Sequence, residues 1–273
     1  MQAATMPNPA GKTQPEVRLR PIALPSEHGG WGMLGAPILA GLSISPSWSG
    51  LCLGVAGAAA FLTRQPFRLA LTDIRKGKRY PRTAWAIRFA CAYAFTGVVA
   101  LAAAVLLARA PFWIPLVLAA ALGATQFSFD IQSKGRSFIP EISGAAAMAL
   151  LSTAMLQSSG YSPVRSWLPA VALCLQAATA IAYAAARVRL ARNVQVPRWP
   201  VWLGHVAALL AILVVAEEGW MGWPIVAAFA VLMLRASWGL SAFRRNVRAA
   251  MVGLEEVGYT LMTVAAIWIS MRG

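Results

Sequence analysis

Charged side chains that lie inside or beside long apolar runs are the residues of this sequence best suited to chemistry. Glu27 and His28 are adjacent, just before the first apolar run. Because histidine titrates near neutral pH and a carboxylate can exchange a proton, this pair is a candidate for proton transfer. The structural alternative for the segment 25–32 is a helix that is capped by Ser26 and entered through a glycine-rich turn.

Further candidates lie close to the ends of later apolar runs. Three acids could transfer protons in catalysis: Asp73, Asp130 and Glu141. Five arginines could bind an anion through charge-assisted hydrogen bonds: Arg64, Arg79, Arg136, Arg187 and Arg192. A charge at membrane depth is costly unless it faces an opposite charge, a protein interior or a wet cavity. Arg64 lies deepest in its run, so we expect it to be paired or to bind a ligand.

The structural alternative for the arginines after position 186 is attraction to the negative end of a helix dipole.

The composition identifies the elements that must position all of these residues. Of 273 residues, 59% are hydrophobic and 12% are charged, whereas soluble domains have about 45–50% apolar and about 25% charged residues. Soluble Rossmann, TIM-barrel and DNA-binding folds are therefore excluded. We predict an all-α fold, a polytopic membrane helix bundle.

Nine apolar segments come close to the roughly 20 residues that a helix needs to cross a bilayer. The predicted spans are 30–46, 49–72, 84–108, 111–129, 139–157, 166–186, 200–216, 220–241 and 250–270. They belong to one transmembrane domain, residues 25–273. The preceding residues 1–24 contain several prolines and no apolar stretch typical of a signal peptide. We predict that they form a disordered cytoplasmic tail.

Basic residues alternate between the segments that connect these spans. Seventeen lysines and arginines fall in the tail and in the loops 73–83, 130–138, 187–199 and 242–249, against three on the opposite side. Cytoplasmic loops carry an excess of Lys and Arg, so we predict a cytoplasmic N-terminus. This placement explains the net charge of +15 without nucleic acid as a partner. The predicted partner is the lipid bilayer, whose anionic head groups attract such loops.

Several of these features occur together in one family. Through these features the sequence resembles the YwiC-like family of bacterial membrane proteins. The resemblance extends over nearly all of the chain after the tail. It implies a multi-pass protein of the bacterial inner membrane. The features are Pro-Ser-Glu27-His28-Gly-Gly-Trp31-Gly, Arg64-Gln-Pro leading to Asp73 and Arg79, Asp130 with Glu141, and the arginine-rich end of the sixth span.

More distantly, the pattern is similar to the UbiA superfamily of intramembrane prenyltransferases. This similarity implies a UbiA-like arrangement of nine helices with a site at the cytoplasmic side, where two aspartate-rich motifs hold Mg²⁺ and a diphosphate. Here the first matching region retains only Asp73, and the second, around 187–193, has no carboxylate. Because a divalent cation needs oxygen ligands, Mg²⁺ is disfavoured as a cofactor, although the cofactor requirement stays open.

Two functions remain open at this point. In the first, the protein is an intramembrane enzyme of UbiA-like architecture with altered chemistry. The arginines hold a lipid or prenyl-type anion in a cytoplasm-facing pocket, and the acids transfer protons. In the second, the protein is not catalytic and binds or transports an amphipathic anion, or assists assembly of a membrane complex. Both functions need the same Arg/Asp/Glu pocket, and in both we expect arginine rather than a metal to bind the anion.

Overall fold

The computed structural model describes residues 18–25, 28–78, 80–132, 137–242 and 249–272. Every regular element in these ranges is a helix, which confirms the predicted all-α fold. The helices, in chain order, are α1 (Arg20–Ala23), α2 (His28–Ile44), α3 (Trp48–Arg75), α4 (Pro81–Leu107), α5 (Trp113–Ile131), α6 (Phe138–Ser158), α7 (Trp167–Ala191), α8 (Trp199–Glu217), α9 (Pro224–Gly239) and α10 (Ala249–Ser270).

The predicted apolar segments correspond one for one to the long helices α2 to α10. Within the described ranges, six helices are long and apolar enough to cross a membrane, namely α4 to α8 and the part Met251–Ser270 of α10. α2 and α9 are apolar but shorter, and α3 carries Arg64 and Arg68 along its length. The chain is a multi-pass membrane protein. The count of nine spans, the inner-membrane location and the cytoplasmic N-terminus stay predictions.

Local signals set the ends of α3 and the start of α4. The Ser47 hydroxyl caps α3 by accepting a hydrogen bond from the backbone N–H of Gly50, at 3.0 Å. Gly77 follows the end of α3 with a positive φ of 65°, a conformation typical of the residue after a helix. α4 then begins at Pro81, which is favoured in a first turn. This short connection places the end of α3 beside the start of α4.

Short connections also make the successive long helices antiparallel. The C-terminal ends of α3, α5, α7 and α9 therefore lie at the same end of the bundle as the N-terminal ends of α2, α4, α6, α8 and α10. We call this the basic end, because the sequence places most of its lysines and arginines there.

α6 is the central helix of the bundle. It packs against α2, α3, α5 and α7, and most of its residues from Ser143 to Leu156 are buried. Many of these residues are small, so neighbouring helices can approach closely. Close packing matters in a membrane because the hydrophobic effect does not drive helices together there. In α4 and α5, by contrast, most residues lie at the surface.

The structure differs from the prediction at the end of the N-terminal tail. Arg20–Ala23, within the segment predicted to be disordered, form the short helix α1. Ile22 is buried against Ala70 of α3 and Ala86 of α4, and this apolar contact fixes the turn on the bundle. Residues 1–17 lie outside the described residues.

Candidate functional site

A large cavity lies inside the bundle. Its volume is about 1430 Å³, whereas typical small-molecule pockets measure roughly 300–1,000 Å³. It is lined by α2 to α7 and by α10. Almost half of the lining residues are glycine or alanine, and most of the others are aliphatic or aromatic. The cavity therefore exists because small side chains occupy positions where larger ones would fill the space.

Individual glycines differ in how they contribute to the wall. A Cβ atom at Gly57 of α3 would collide with the side chain of Leu151 on α6, and one at Gly144 of α6 would collide with the amide of Gln126 on α5. These two glycines let neighbouring helices approach closely. At Gly123, by contrast, a Cβ atom would meet nothing within 4 Å, so this lining position faces open space.

Charged side chains line the cavity at the basic end of the bundle, and we call this region the mouth. It contains Arg64 of α3, Glu141 in the first turn of α6, and Arg189 and Arg192 at the end of α7. The two arginines of α7 are three residues apart, so they share one face of the helix. Both are exposed, and neither has a side-chain hydrogen bond or ion pair with any described residue.

Arg64 has the partner that a deep charge requires. Its Nε donates to Oδ2 of Asp130 at 2.5 Å, and its Nη2 donates to Oδ1 at 3.0 Å. The side chain of Asp130 is 2% exposed and that of Arg64 is 24% exposed. The pair joins α3 to α5. Arg64 lines the cavity, whereas Asp130 is not among the described lining residues.

Asp73 is bound by α4 and is likewise not among the described residues that line the cavity. Arg82 donates to both of its carboxylate oxygens, from Nε at 3.1 Å and from Nη2 at 2.8 Å. The Thr83 hydroxyl donates to Oδ2 at 2.9 Å. Asp73 lies beyond the predicted span 49–72, and the hydrogen bond from Arg82 lowers its pKa below the ordinary value of a carboxyl group, although burial opposes this.

A carboxylate that stays ionised with both oxygens engaged is poorly suited to general base catalysis near neutral pH. The geometry shows Asp73 joining α3 to α4, and its catalytic role stays a prediction. Asp130 has the same limitation, because Arg64 engages both of its oxygens.

Three of the predicted site residues, Glu27, Arg79 and Arg136, lie outside the described residues. His28 is the first residue of α2, but its side chain lies outside them too. The predicted Glu27–His28 proton-transfer pair stays a prediction.

Of the two arginines predicted to bind a ligand at the end of α7, Arg192 lines the cavity and Arg187 does not. Arg187 is buried and is not among the described lining residues, whereas Arg189, two positions later, is one. Two positions on a helix turn the side chain by about 200°, so the two arginines face in nearly opposite directions. Of the predicted site residues in the described ranges, the cavity is lined by Arg64, Glu141 and Arg192.

A buried ion pair that the sequence analysis does not single out joins α9 to α10, and one of its partners, Glu256, lines the cavity. Arg235 of α9 donates through Nη1 to both carboxylate oxygens of Glu256 on α10, at 2.5 and 2.6 Å. The guanidinium lies 4.2 Å from the ring centroid of Tyr183 and 4.9 Å from that of Tyr259. Nε2 of His205 is 3.4 Å from Nη2. One sequence feature could have indicated this ion pair, namely a single arginine within the apolar run of α9, because a charge at that depth needs a partner.

The cavity opens sideways between α4 and α5. These helices follow each other in the chain, yet α4 packs on α3 and α5 packs on α6, and the two scarcely touch each other. Val98 of α4 and Val117 of α5 line the cavity and are 67% and 66% exposed. Because α4 and α5 are both candidate membrane spans, we expect this surface to face lipid.

The Mg²⁺ that a UbiA-like site would hold does not fit the donors that the structure describes. Asp73 and Asp130 each have both oxygens bound by an arginine, and the end of α7 offers cations only. In the part of the chain that the structure describes, no group of three or more His, Cys, Asp or Glu side chains could hold a metal ion.

Comparison with known proteins identifies a family for about the first half of the chain. Residues 24–156 match the family described as YwiC-like protein, which confirms the resemblance for the part that includes Arg64, Asp130 and Glu141. The arginine-rich end of α7 lies beyond the matched residues. No curated protein matches the chain, and no solved structure matches it. The UbiA-like arrangement of the helices stays a prediction.

Proposed function

We propose that this membrane protein, which is YwiC-like over residues 24–156, binds an amphipathic anion. The charged group of the ligand lies at Arg189 and Arg192, and its hydrocarbon part occupies the cavity. One juxtaposition carries the proposal. Two arginines that have no partner among the described residues stand at the mouth of a large, mainly apolar cavity.

The charge at the mouth supports an anionic ligand. The two ion pairs at the wall, Arg64–Asp130 and Arg235–Glu256, are each neutral. Among the described residues, the other charged residues that line the cavity are the two arginines of α7 and one acid, Glu141, so their balance of charge is positive. A planar guanidinium can donate to two oxygens of a phosphate or carboxylate at once. Two guanidinium groups on one helix face can therefore share a single anionic group.

The hydrocarbon part of the ligand occupies the cavity but contributes little to the discrimination between ligands. A chain gains little by leaving bilayer lipid for a cavity whose walls are equally apolar. Selection must therefore come from the polar groups at the mouth. The opening between α4 and α5 supports entry from the bilayer, because a dissolved lipid can reach the cavity without crossing water.

We further propose that the basic end faces the cytoplasm across the bacterial inner membrane. The alternation of basic loops supports this orientation. It places the mouth at the level of the anionic head groups of the cytoplasmic leaflet.

Transfer chemistry is the second candidate function. Glu141 lines the mouth of the cavity, and a carboxylate next to a bound prenyl diphosphate could accept a proton from the attacking group. The arginines of the mouth would then have to stabilise the departing diphosphate by themselves. Conversion of a prenyl diphosphate by the purified protein in the presence of a chelator would favour this candidate over binding alone.

Equilibrium binding to the purified protein in nanodiscs of zwitterionic lipid tests the proposal. The probe is octadecyl phosphate, and its neutral counterpart is octadecanol. We expect saturable binding of the phosphate only, weakened about ten-fold or more by Arg189→Gln or by Arg192→Gln. Arg198→Gln is the matched control, because Arg198 precedes α8 at the basic end and is not among the described lining residues.

Two further arms separate the sources of affinity. Inorganic phosphate should compete poorly, since it lacks the chain that fills the cavity. EDTA should leave the affinity unchanged, since the anion is bound by arginine. Equal affinity for octadecyl phosphate and octadecanol, or an equal loss of affinity in the Arg198→Gln control, would contradict the proposal.

A further inference from the structure

A second polar patch interrupts the apolar wall of the cavity. It consists of Gln176 on α7 and of Glu256 and Thr260 on α10, and all three residues line the cavity. Glu256 and Thr260 are four residues apart and share a helix face. The side-chain amide of Gln176 donates to the Thr260 hydroxyl at 3.1 Å. We call this patch the inner polar site.

The inner polar site lies within the membrane-spanning part of the bundle. Gln176 lies thirteen residues before Arg189 on α7, which corresponds to about 20 Å along the helix. The neighbouring lining residues, such as Ala177, Ala180 and Val257, are apolar. A ligand that fills the cavity from the mouth therefore brings its hydrocarbon part, and not its charged end, next to this site.

Glu256 is held in place from the side away from the cavity. Arg235, on a helix that does not line the cavity in the described ranges, donates one hydrogen bond to each carboxylate oxygen. A carboxylate can accept about four hydrogen bonds, and no other described group donates to these oxygens. Glu256 thus keeps acceptor capacity, while Arg235 fixes its position.

We infer that the inner polar site binds a hydrogen-bond donor, a hydroxyl or an amine, carried on the hydrocarbon part of the ligand. The inference rests on the proposed function and narrows the ligand class to amphipathic anions with a polar substituent along the chain. A plain hydrocarbon chain packed against Glu256 would cover the carboxylate without supplying a donor, which is unfavourable. A site built to bind a hydroxyl discriminates against the analogue that lacks it.

A set of matched probes tests this inference. The probes are octadecyl phosphate and hydroxyoctadecyl phosphates that carry the hydroxyl at successive mid-chain positions. We expect one or two adjacent positions to bind about ten-fold or more tightly than octadecyl phosphate, because the added hydrogen bond is to a charged group. A preference confined to those positions would locate the inner polar site relative to the mouth.

Two variants show which residues produce the preference. Thr260→Val keeps the Arg235–Glu256 pair and should reduce the preference, whereas Thr263→Val is the matched control, since Thr263 is fully buried on the same helix. The double variant Arg235→Met with Glu256→Gln removes the carboxylate without leaving a buried unpaired charge, and it should greatly reduce the preference, because a neutral amide oxygen is a weaker acceptor. Octadecyl phosphate should still bind to every variant, because the mouth is unchanged, and the double variant should bind it no more weakly than the wild type, because the plain chain no longer covers a carboxylate.

The outcomes separate this inference from the function on which it rests. If octadecyl phosphate binds but no hydroxylated probe binds more tightly, the inner polar site is overturned and the proposed function stands. If a hydroxylated probe is preferred equally by the wild type and by the double variant, the assignment to Glu256 is overturned. If neither kind of probe binds, both proposals fail.

Discussion

Replacement of Arg235 by methionine should strongly destabilise the protein. The Arg235–Glu256 pair is tight, with donor–acceptor distances of 2.5 and 2.6 Å. Its side chains are only 5% and 13% exposed, and two tyrosine rings enclose the guanidinium. In Arg235→Met the carboxylate of Glu256 remains, partly buried and without its counter-charge.

The expected magnitude follows from this burial. Removal of one partner of a buried ion pair costs about 3–5 kcal/mol. In a chain of this size, about 1 kcal/mol changes the melting temperature by roughly 2–4 °C, so we expect a decrease of roughly 10 °C. The double variant Arg235→Met with Glu256→Gln leaves no unpaired charge, and buried pairs replaced as a whole are often close to neutral. It should therefore recover most of the loss.

The assay is thermal unfolding of the purified variants in the same detergent. Arg189→Met is the control, because Arg189 is exposed and has no partner among the described residues. Its unfolding free energy should change by no more than about 0.5 kcal/mol, although it should weaken anion binding. If Arg235→Met melts like the wild type, or if the double variant is as unstable as the single one, the ion pair is not the source of stability that we describe.

Three other predictions follow from the same geometry. Gly123→Phe should block binding of octadecyl phosphate, since Gly123 faces open cavity, whereas Gly204→Phe should not, since Gly204 is exposed on α8; equal binding by both variants would show that the cavity is not the site. Because Arg82 lowers the pKa of Asp73, their pair stabilises the fold above the ordinary carboxyl pKa and loses this effect as the pH falls through the lowered value. The difference in melting temperature between wild type and Asp73→Asn should thus be equal at about pH 8 and about pH 6 and shrink only below about pH 4; a difference that shrinks between pH 8 and pH 6 would contradict this. A reporter fused after Arg272 should read as external, and a cytoplasmic signal would overturn the orientation.

The positions of the helices could be predicted from the sequence because membrane helices are long, continuous apolar runs. The predicted span 111–129, for example, differs from α5 (Trp113–Ile131) by only two residues at each end. The caps are local as well, so the start of α4 at Pro81 follows from the proline itself. Each of these signals depends only on residues that are close together in the chain.

The partners of the charges could not be predicted, because ion pairing depends on which helices are neighbours. Asp73 pairs with Arg82, nine residues later, whereas Asp130 pairs with Arg64, sixty-six residues earlier. In the sequence both acids lie at the end of an apolar run, so the neighbouring residues do not distinguish their partners.

The face of α7 that lines the cavity could not be predicted from the sequence either. Nearly every face of this helix is apolar along most of its length, so periodicity does not show its orientation. As a result, Arg187 was predicted to bind the ligand where Arg189 lines the cavity.

Photoaffinity labelling tests the central claim, that the hydrocarbon part of an amphipathic anion occupies the cavity. The probe is an alkyl phosphate with a diazirine at the end of its chain, and the labelled residues are identified by peptide mass spectrometry. The account predicts labelling of lining residues away from the mouth, such as Leu53 and Leu116. Excess octadecyl phosphate should compete with this labelling, and Arg189→Gln should weaken it. Labelling confined to outward-facing residues such as Leu106, which is 86% exposed, without competition by octadecyl phosphate, would contradict the account.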